Sequence, residues 1–175
     1  NITGNYITDE NVIRSELILD EGDPLTEIIL EKSISQIKSR RIFKEVNYKV
    51  SKGSKQNLKI IDISVEEQPT GEIGAGAGIG TSGGTLAFNI KENNWLGEGK
   101  AVEFAAQIDE ESLAGNLIYT NPNYDFLGNA LRYYLTSETN DQPDQGYKNT
   151  ILGAGISTTF EQYNDVFTTL GINAT

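Results

Sequence analysis

The chain contains no cysteine, no methionine and no histidine among its 175 residues. Without cysteine there can be no disulfide, thiolate metal site or thiol nucleophile. Without histidine the commonest general base and zinc ligand is missing, and a Ser-His-Asp arrangement cannot be assembled from this chain. No stretch comes near the roughly 18 apolar residues of a transmembrane helix. An initiator methionine and an apolar leader are lacking too, from which we expect an internal or processed piece. The missing leader therefore says nothing about compartment.

What is present is unevenly divided. Residues 1–70 hold 10 Lys+Arg against 12 Asp+Glu, whereas residues 71–175 hold 4 against 13, within a net charge of −11. Glycine falls 3 before and 15 after the same boundary. So acidic a second half argues against nucleic acid as a partner. These shifts place a domain boundary near residues 69–71, giving domains 1–70 and 71–175.

In the first domain, residues 2–6 read as the tail of a strand running into a turn. Thr8 or Asp9 can cap a helix carrying Val12, Ile13, Leu17 and Ile18, stopped at Glu21-Gly22. Asp23 caps again, with Pro24 in the first turn. The helix that follows lines up Leu30, Ile34 and Ile37 and ends on basic Lys38, Arg40 and Arg41, favourable at the negative end of its dipole. Val46, Tyr48 and Val50 alternate in one strand and Ile61, Ile63 and Val65 in the next, across a polar turn at 51–57. The order is β-α-α-β-β, an α+β domain. Its three-stranded sheet has an open edge at Val46, Tyr48 and Val50, which suits strand addition from another protein. Adjacent Glu66 and Glu67 point to opposite faces of a strand, and both are expected to be solvated.

The second domain opens on a glycine ladder. Gly74, Gly76, Gly78 and Gly80 alternate with Ile73, Ala75, Ala77 and Ile79, so one face of the strand is bare and the other apolar. Gly78, Gly80 and Gly83 fit G-x-G-x-x-G. That dinucleotide fingerprint requires a helix to open within it, and residues 85–91 alternate as a strand instead. Two strands joined by a turn at 81–84 is the better reading. Further strands are legible at 101–109, 113–121, 129–137, 150–159 and 165–173. Val102, Phe104, Ala106 and Ile108 oppose Glu103, Ala105, Gln107 and Asp109; Ile118 and Ile151 fall on the polar face. Strands of this length with one apolar face fit a membrane β-barrel, and a soluble antiparallel sandwich is the alternative. Small apolar residues with Trp95, Tyr119 and Tyr124 near strand ends favour the barrel. Seven strands leave an open edge that lipid cannot satisfy, so we expect an incomplete barrel whose remaining strands follow. The glycine strand should be weakly held.

A resemblance enters at the landmarks themselves. Ile2-Thr3-Gly4-Asn5, Val12-Ile13-Arg14-Ser15-Glu16, Glu21-Gly22-Asp23, Ile42-Phe43-Lys44-Glu45-Val46 and Asp62-Ile63-Ser64-Val65-Glu66-Glu67 resemble successive marks of a POTRA domain. Pro69-Thr70-Gly71, Gly76-Ala77-Gly78-Ile79-Gly80-Thr81, Asn93-Asn94-Trp95-Leu96-Gly97-Glu98-Gly99 and Thr120-Asn121-Pro122 resemble the start of the barrel in the BamA family of outer-membrane assembly factors. The resemblance implies a membrane-proximal POTRA domain in the periplasm and about seven strands of a sixteen-stranded barrel in the bacterial outer membrane. It implies assembly and insertion of β-barrel proteins without ATP, with unfolded outer-membrane proteins as clients. Gly71, Gly74, Gly76, Gly78, Gly80 and Thr81 would form a lateral gate whose edge templates client strands. Arg14 and Glu21 would dock a lipoprotein of the assembly complex, and the barrel would face outer-membrane lipid.

Rival readings are a relative that exports a partner polypeptide or assembles autotransporters, and a passive porin-like channel with a periplasmic domain. For an enzyme there are only scattered carboxylates such as Asp141 and Asp144 in an expected loop. No catalytic, cofactor-binding or metal-ligating constellation is found.

Overall fold

A computed structural model describes residues 1–175 except 56, 57, 81, 82, 126 and 165. The chain divides into two compact units, Asn1–Thr70 with Asn93–Gly99, and Gly71–Glu92 with Lys100–Thr175.

The first unit runs β1 (Ile2–Thr3), α1 (Glu10–Arg14), α2 (Glu27–Ser39), β2 (Phe43–Lys52) and β3 (Lys59–Glu67). Its sheet has the order β1-β3-β2, with β1 parallel and β2 antiparallel to β3. The expected stripe on α2 is buried at Leu30, Ile34 and Ile37, and closes on Val12, Ile13, Ile42, Phe43, Val46, Ile63 and Val65. Burying each such side chain is worth about 1.5–3 kcal/mol relative to exposure.

Both helices differ from the sequence expectation at their ends. α1 stops at Arg14 instead of reaching residue 18: Asp9 caps it, its carboxylate accepting from the Asn11 N–H at 2.8 Å. The chain is then drawn across α2, where the Ile18 N–H donates to the buried Ser33 hydroxyl at 3.0 Å. α2 is capped by Thr26, whose hydroxyl accepts from the Ile29 N–H at 3.3 Å, rather than by Asp23. Asp23 instead accepts the Asp20 N–H at 2.9 Å and closes the preceding turn.

The second unit carries a seven-stranded antiparallel sheet. Its strands are β4 (Gly71–Gly80), β5 (Gly83–Trp95), β6 (Lys100–Asp109), β7 (Ser112–Asn121), β8 (Ala130–Gln142), β9 (Tyr147–Tyr163) and β10 (Val166–Ala174), adjacent in chain order. β8 and β9 are much longer than expected. Polar residues 138–142, which read as loop, pair on from Glu138↔Ile151 to Gln142↔Tyr147, and a single 3₁₀ turn at Pro143–Gln145 joins the strands. Asp141 is accordingly a strand residue, ion-paired with Lys148 at 2.7 Å across the hairpin.

The register lines up whole rows. Val102, Tyr119, Tyr133, Ile156 and Ile172 form one row across five strands, and Phe104, Leu117, Leu135, Ala154 and Ala174 form the next. The rings of Tyr119 and Tyr133 meet at 6.1 Å, a tilted cross-strand pair. Glu103, Ile118, Tyr134 and Gly155 share the other face. Among the described residues, all the buried hydrophobic side chains belong to the first unit and none to this sheet. A soluble sandwich would require a buried row; among the described residues no apolar row of this sheet is buried.

Candidate functional site

β4 is an outer strand of the sheet. It pairs with β5 along its whole length, from Gly71↔Glu92 to Gly80↔Gly83, so its remaining edge is the free one. The apolar face places Ile73 opposite Ile90, Ala75 opposite Phe88 and Ala77 opposite Leu86. On the other face Gly74 lies against the Asn89 side chain, whereas Gly76, Gly78 and Gly80 have open space where a Cβ would be. Ile73 and Ile79 stand in the open at 76% and 96% exposure. Thr81 lies outside the described residues. β5 continues from Gly83 as a strand, so no helix opens after the glycines and the dinucleotide fingerprint has no phosphate-binding terminus.

In the first unit, Arg14 and Glu21 come to the rim of one groove. Its volume is about 780 Å³, and Leu17, Leu25, Leu58 and Ile60 are among its lining residues. The two side chains barely touch, at 3.8 Å. Arg14 is held chiefly by Glu10, one turn back on α1, at 2.6 Å. Glu21 is almost wholly exposed. The edge strand β2 presents Val46, Tyr48 and Val50 unevenly: Val46 is buried in the core, while Tyr48 and Val50 remain exposed.

Two features escaped the sequence reading. The first is Glu67, expected to be solvated. Its carboxylate accepts three consecutive backbone N–H groups, from Tyr6 at 3.0 Å, Ile7 at 3.1 Å and Thr8 at 2.7 Å. Burial works against its charge, but these bonds and one from the Thr8 side chain outweigh it, and its pKa lies below the ordinary value. Glu66, by contrast, is paired at the surface with Lys44 at 2.6 Å.

The second is the turn after β5. Asn94 is buried, donates to the Thr8 hydroxyl at 2.9 Å and accepts the Gly99 N–H at 2.8 Å. The Asp9 N–H, at the cap of α1, donates to the Gly97 carbonyl at 2.8 Å. Asn93 donates from backbone and side chain to the Thr70 carbonyl. Arg40 donates to the Gly99 carbonyl and pairs with Glu16 at 3.4 Å, both side chains being largely buried. Burial lowers the Arg40 pKa, with Glu16 opposing. Glycine at 97 is required twice over: φ is +77°, and a Cβ would fall on the Ile7 carbonyl.

Comparisons with known proteins agree with this architecture. A family model described as POTRA, surface antigen variable number repeat, matches residues 1–68. The outer membrane protein assembly factor BamA of Neisseria meningitidis serogroup B is 27% identical over 162 residues, 89% of this chain and 20% of that protein. BamA of Neorickettsia risticii is 32% identical over 117 residues, 66% of this chain and 15% of that protein. The chain thus spans a fifth or less of these curated relatives. Among solved structures, BamA from Haemophilus ducreyi lacking POTRA domains 1–3 superposes with a TM-score of 0.82 at 24% identity, over 98% of this chain and 34% of that one. CdiB from Escherichia coli superposes with a TM-score of 0.59 at 17% identity, over 99% of this chain and 35% of that one. Both likenesses are of fold.

Proposed function

The chain belongs to the BamA family, and from that premise we propose that it serves the assembly and insertion of β-barrel proteins into the bacterial outer membrane. In this reading residues 1–70 are a periplasmic POTRA domain and residues 71–175 are the first strands of an incomplete barrel. The observation that carries the proposal is the seven-stranded sheet with, among the described residues, no buried hydrophobic side chain and with apolar rows running across it. Lipid is the medium in which such rows are covered at no cost, provided that every backbone group is paired. β4 is then the weak point. Its free edge offers N–H and C=O groups to a client strand, and its bare glycine face gives it little side-chain packing. Each client strand that pairs there satisfies groups lipid cannot, so client folding supplies the driving force.

The POTRA domain would contribute two recognition surfaces. The groove with Arg14 and Glu21 on its rim would receive a lipoprotein of the assembly complex. The β2 edge at Tyr48 and Val50 would take an extended client segment by strand addition.

The test is reconstitution of the full-length protein containing this chain into liposomes, followed by the folding rate of an unrelated barrel protein. Acceleration is the expected result. Ion conductance without acceleration would identify a passive channel instead. Cysteines engineered to lock residues 71–80 to the closing strand of the barrel should block growth of the host, and normal growth with the crosslink formed would remove the gate from the proposal.

A further inference from the structure

Two loops of the first unit pack together and expose large apolar side chains. One contains Tyr6 and Ile7, at 93% and 76% exposure; the other contains Trp95 and Leu96, at 45% and 79%. Their backbones meet at the Asp9–Gly97 hydrogen bond and at the Ile7 carbonyl beside Gly97, and the buried Thr8–Asn94 pair lies between them. Leu96 is held in the left-handed region at φ +56°, where leucine is disfavoured.

We propose that this Tyr6-Ile7-Trp95-Leu96 surface lies in the interfacial layer of the lipid bilayer, so that the POTRA domain itself is anchored to the membrane rather than only tethered by the chain. The inference rests on the membrane reading of the seven-stranded sheet. Three observations point to lipid. Trp95 is the last residue of β5 and Lys100 the first of β6, so this turn is continuous with the ends of the strands that carry the apolar rows. Tryptophan and tyrosine with aliphatic neighbours are the residue types that settle at the headgroup boundary. Seven backbone donors of the two loops, at residues 6–9 and 97–99, are bonded within the protein. Glu67 takes the N–H groups of residues 6, 7 and 8, and the Gly97 carbonyl takes that of Asp9. The N–H groups of Gly97, Glu98 and Gly99 go to the Asn94 and Trp95 carbonyls and the Asn94 side chain. A loop entering a poorly hydrated layer needs this internal satisfaction, whereas a loop in water does not. A protein partner covering the four side chains would not account for the place of Trp95 as the last residue of β5.

Single cysteines at Ile7, Leu96, Phe104 and Ile28, each labelled with an environment-sensitive dye in the full-length protein, decide the matter in phosphatidylcholine vesicles containing nitroxide lipid. Phe104, on the apolar face of β6, reports whether the sheet is in lipid at all. Ile28, exposed on α2, reports the water-facing POTRA surface. The expected result is blue-shifted emission at 7 and 96, quenched to at least half the extent seen at 104, with 28 unquenched. Quenching at 104 with position 7 no more quenched than 28 overturns the anchor and leaves the membrane reading standing. The anchor is equally overturned if position 7 is shielded only when a periplasmic protein is added. No quenching at 104 removes the membrane reading itself, and the anchor with it.

Discussion

The Asn94 amide donates to the Thr8 hydroxyl at 2.9 Å across a sequence separation of 86, and both residues are buried. Asn94 also accepts the Gly99 N–H, so one side chain holds a buried hydroxyl and a buried backbone donor. Asn94→Ala leaves the buried Gly99 N–H without this acceptor, while the Thr8 hydroxyl keeps its bond to Glu67, and should cost about 1–3 kcal/mol. Asn94→Asp keeps an acceptor for Gly99 but replaces the donor to Thr8 by a buried carboxylate, so it should protect the Gly99 amide without restoring full stability. Amide exchange at Gly99 in the full-length protein checks both. Equal protection in wild type and Asn94→Ala would mean that the turn is held by other bonds.

Gly97 and Gly146 make a controlled pair. Both have positive φ, +77° and +65°, but a Cβ at 97 strikes the Ile7 carbonyl, whereas at 146 there is open space. Gly146→Ala should show only the left-handed penalty, about 1–2 kcal/mol. Gly97→Ala adds a clash with backbone that cannot rotate away, and should cost clearly more. Thermal unfolding of the two variants side by side measures the difference.

Glu67 sets an acid limit on the first unit. Its pKa is lowered in the folded protein because hydrogen bonds from residues 6–8 outweigh burial. A depressed carboxylate pKa stabilises the fold fully above the unfolded value, and the contribution is lost as pH falls through the folded value. Glu67→Gln should lower stability at neutral pH and flatten its decline over the acid range below the ordinary carboxylate pKa. Acid titration of both proteins by circular dichroism would show it; parallel curves would mean that the carboxylate's charge does not matter.

The sequence carried the periodic parts of the fold and little of what joins distant residues. Alternation placed Val102, Phe104 and Ile108 on one face and Glu103 on the other, and a helical stripe placed Leu30, Ile34 and Ile37 in the core, because each pattern repeats within a single element. The end of α1 was not legible, since it is decided by Ser33, 15 residues beyond Ile18. Nor was the extra length of the β8–β9 hairpin, because residues such as Glu138, Asn140 and Asp141 look alike in a loop and in the exposed end of a long hairpin. Glu67 was misjudged for the same reason: its donors come from residues about sixty positions earlier. Asn93-Asn94-Trp95-Leu96-Gly97 was visible only as a family landmark, with no sign of what Asn94 holds.

The glycine face of β4 separates stability from activity. Gly76 and Gly78 have open space and ordinary extended backbone, so a β-branched side chain fits there without strain. Valine would also restrict the unfolded chain and raise strand propensity, so each substitution should stabilise β4 by about 0.5–1 kcal/mol. If β4 opens to template clients, Gly76→Val with Gly78→Val should slow client folding in liposomes while leaving the barrel more resistant to heat. A double variant that is more heat-resistant and fully active would show that the bare face has nothing to do with opening.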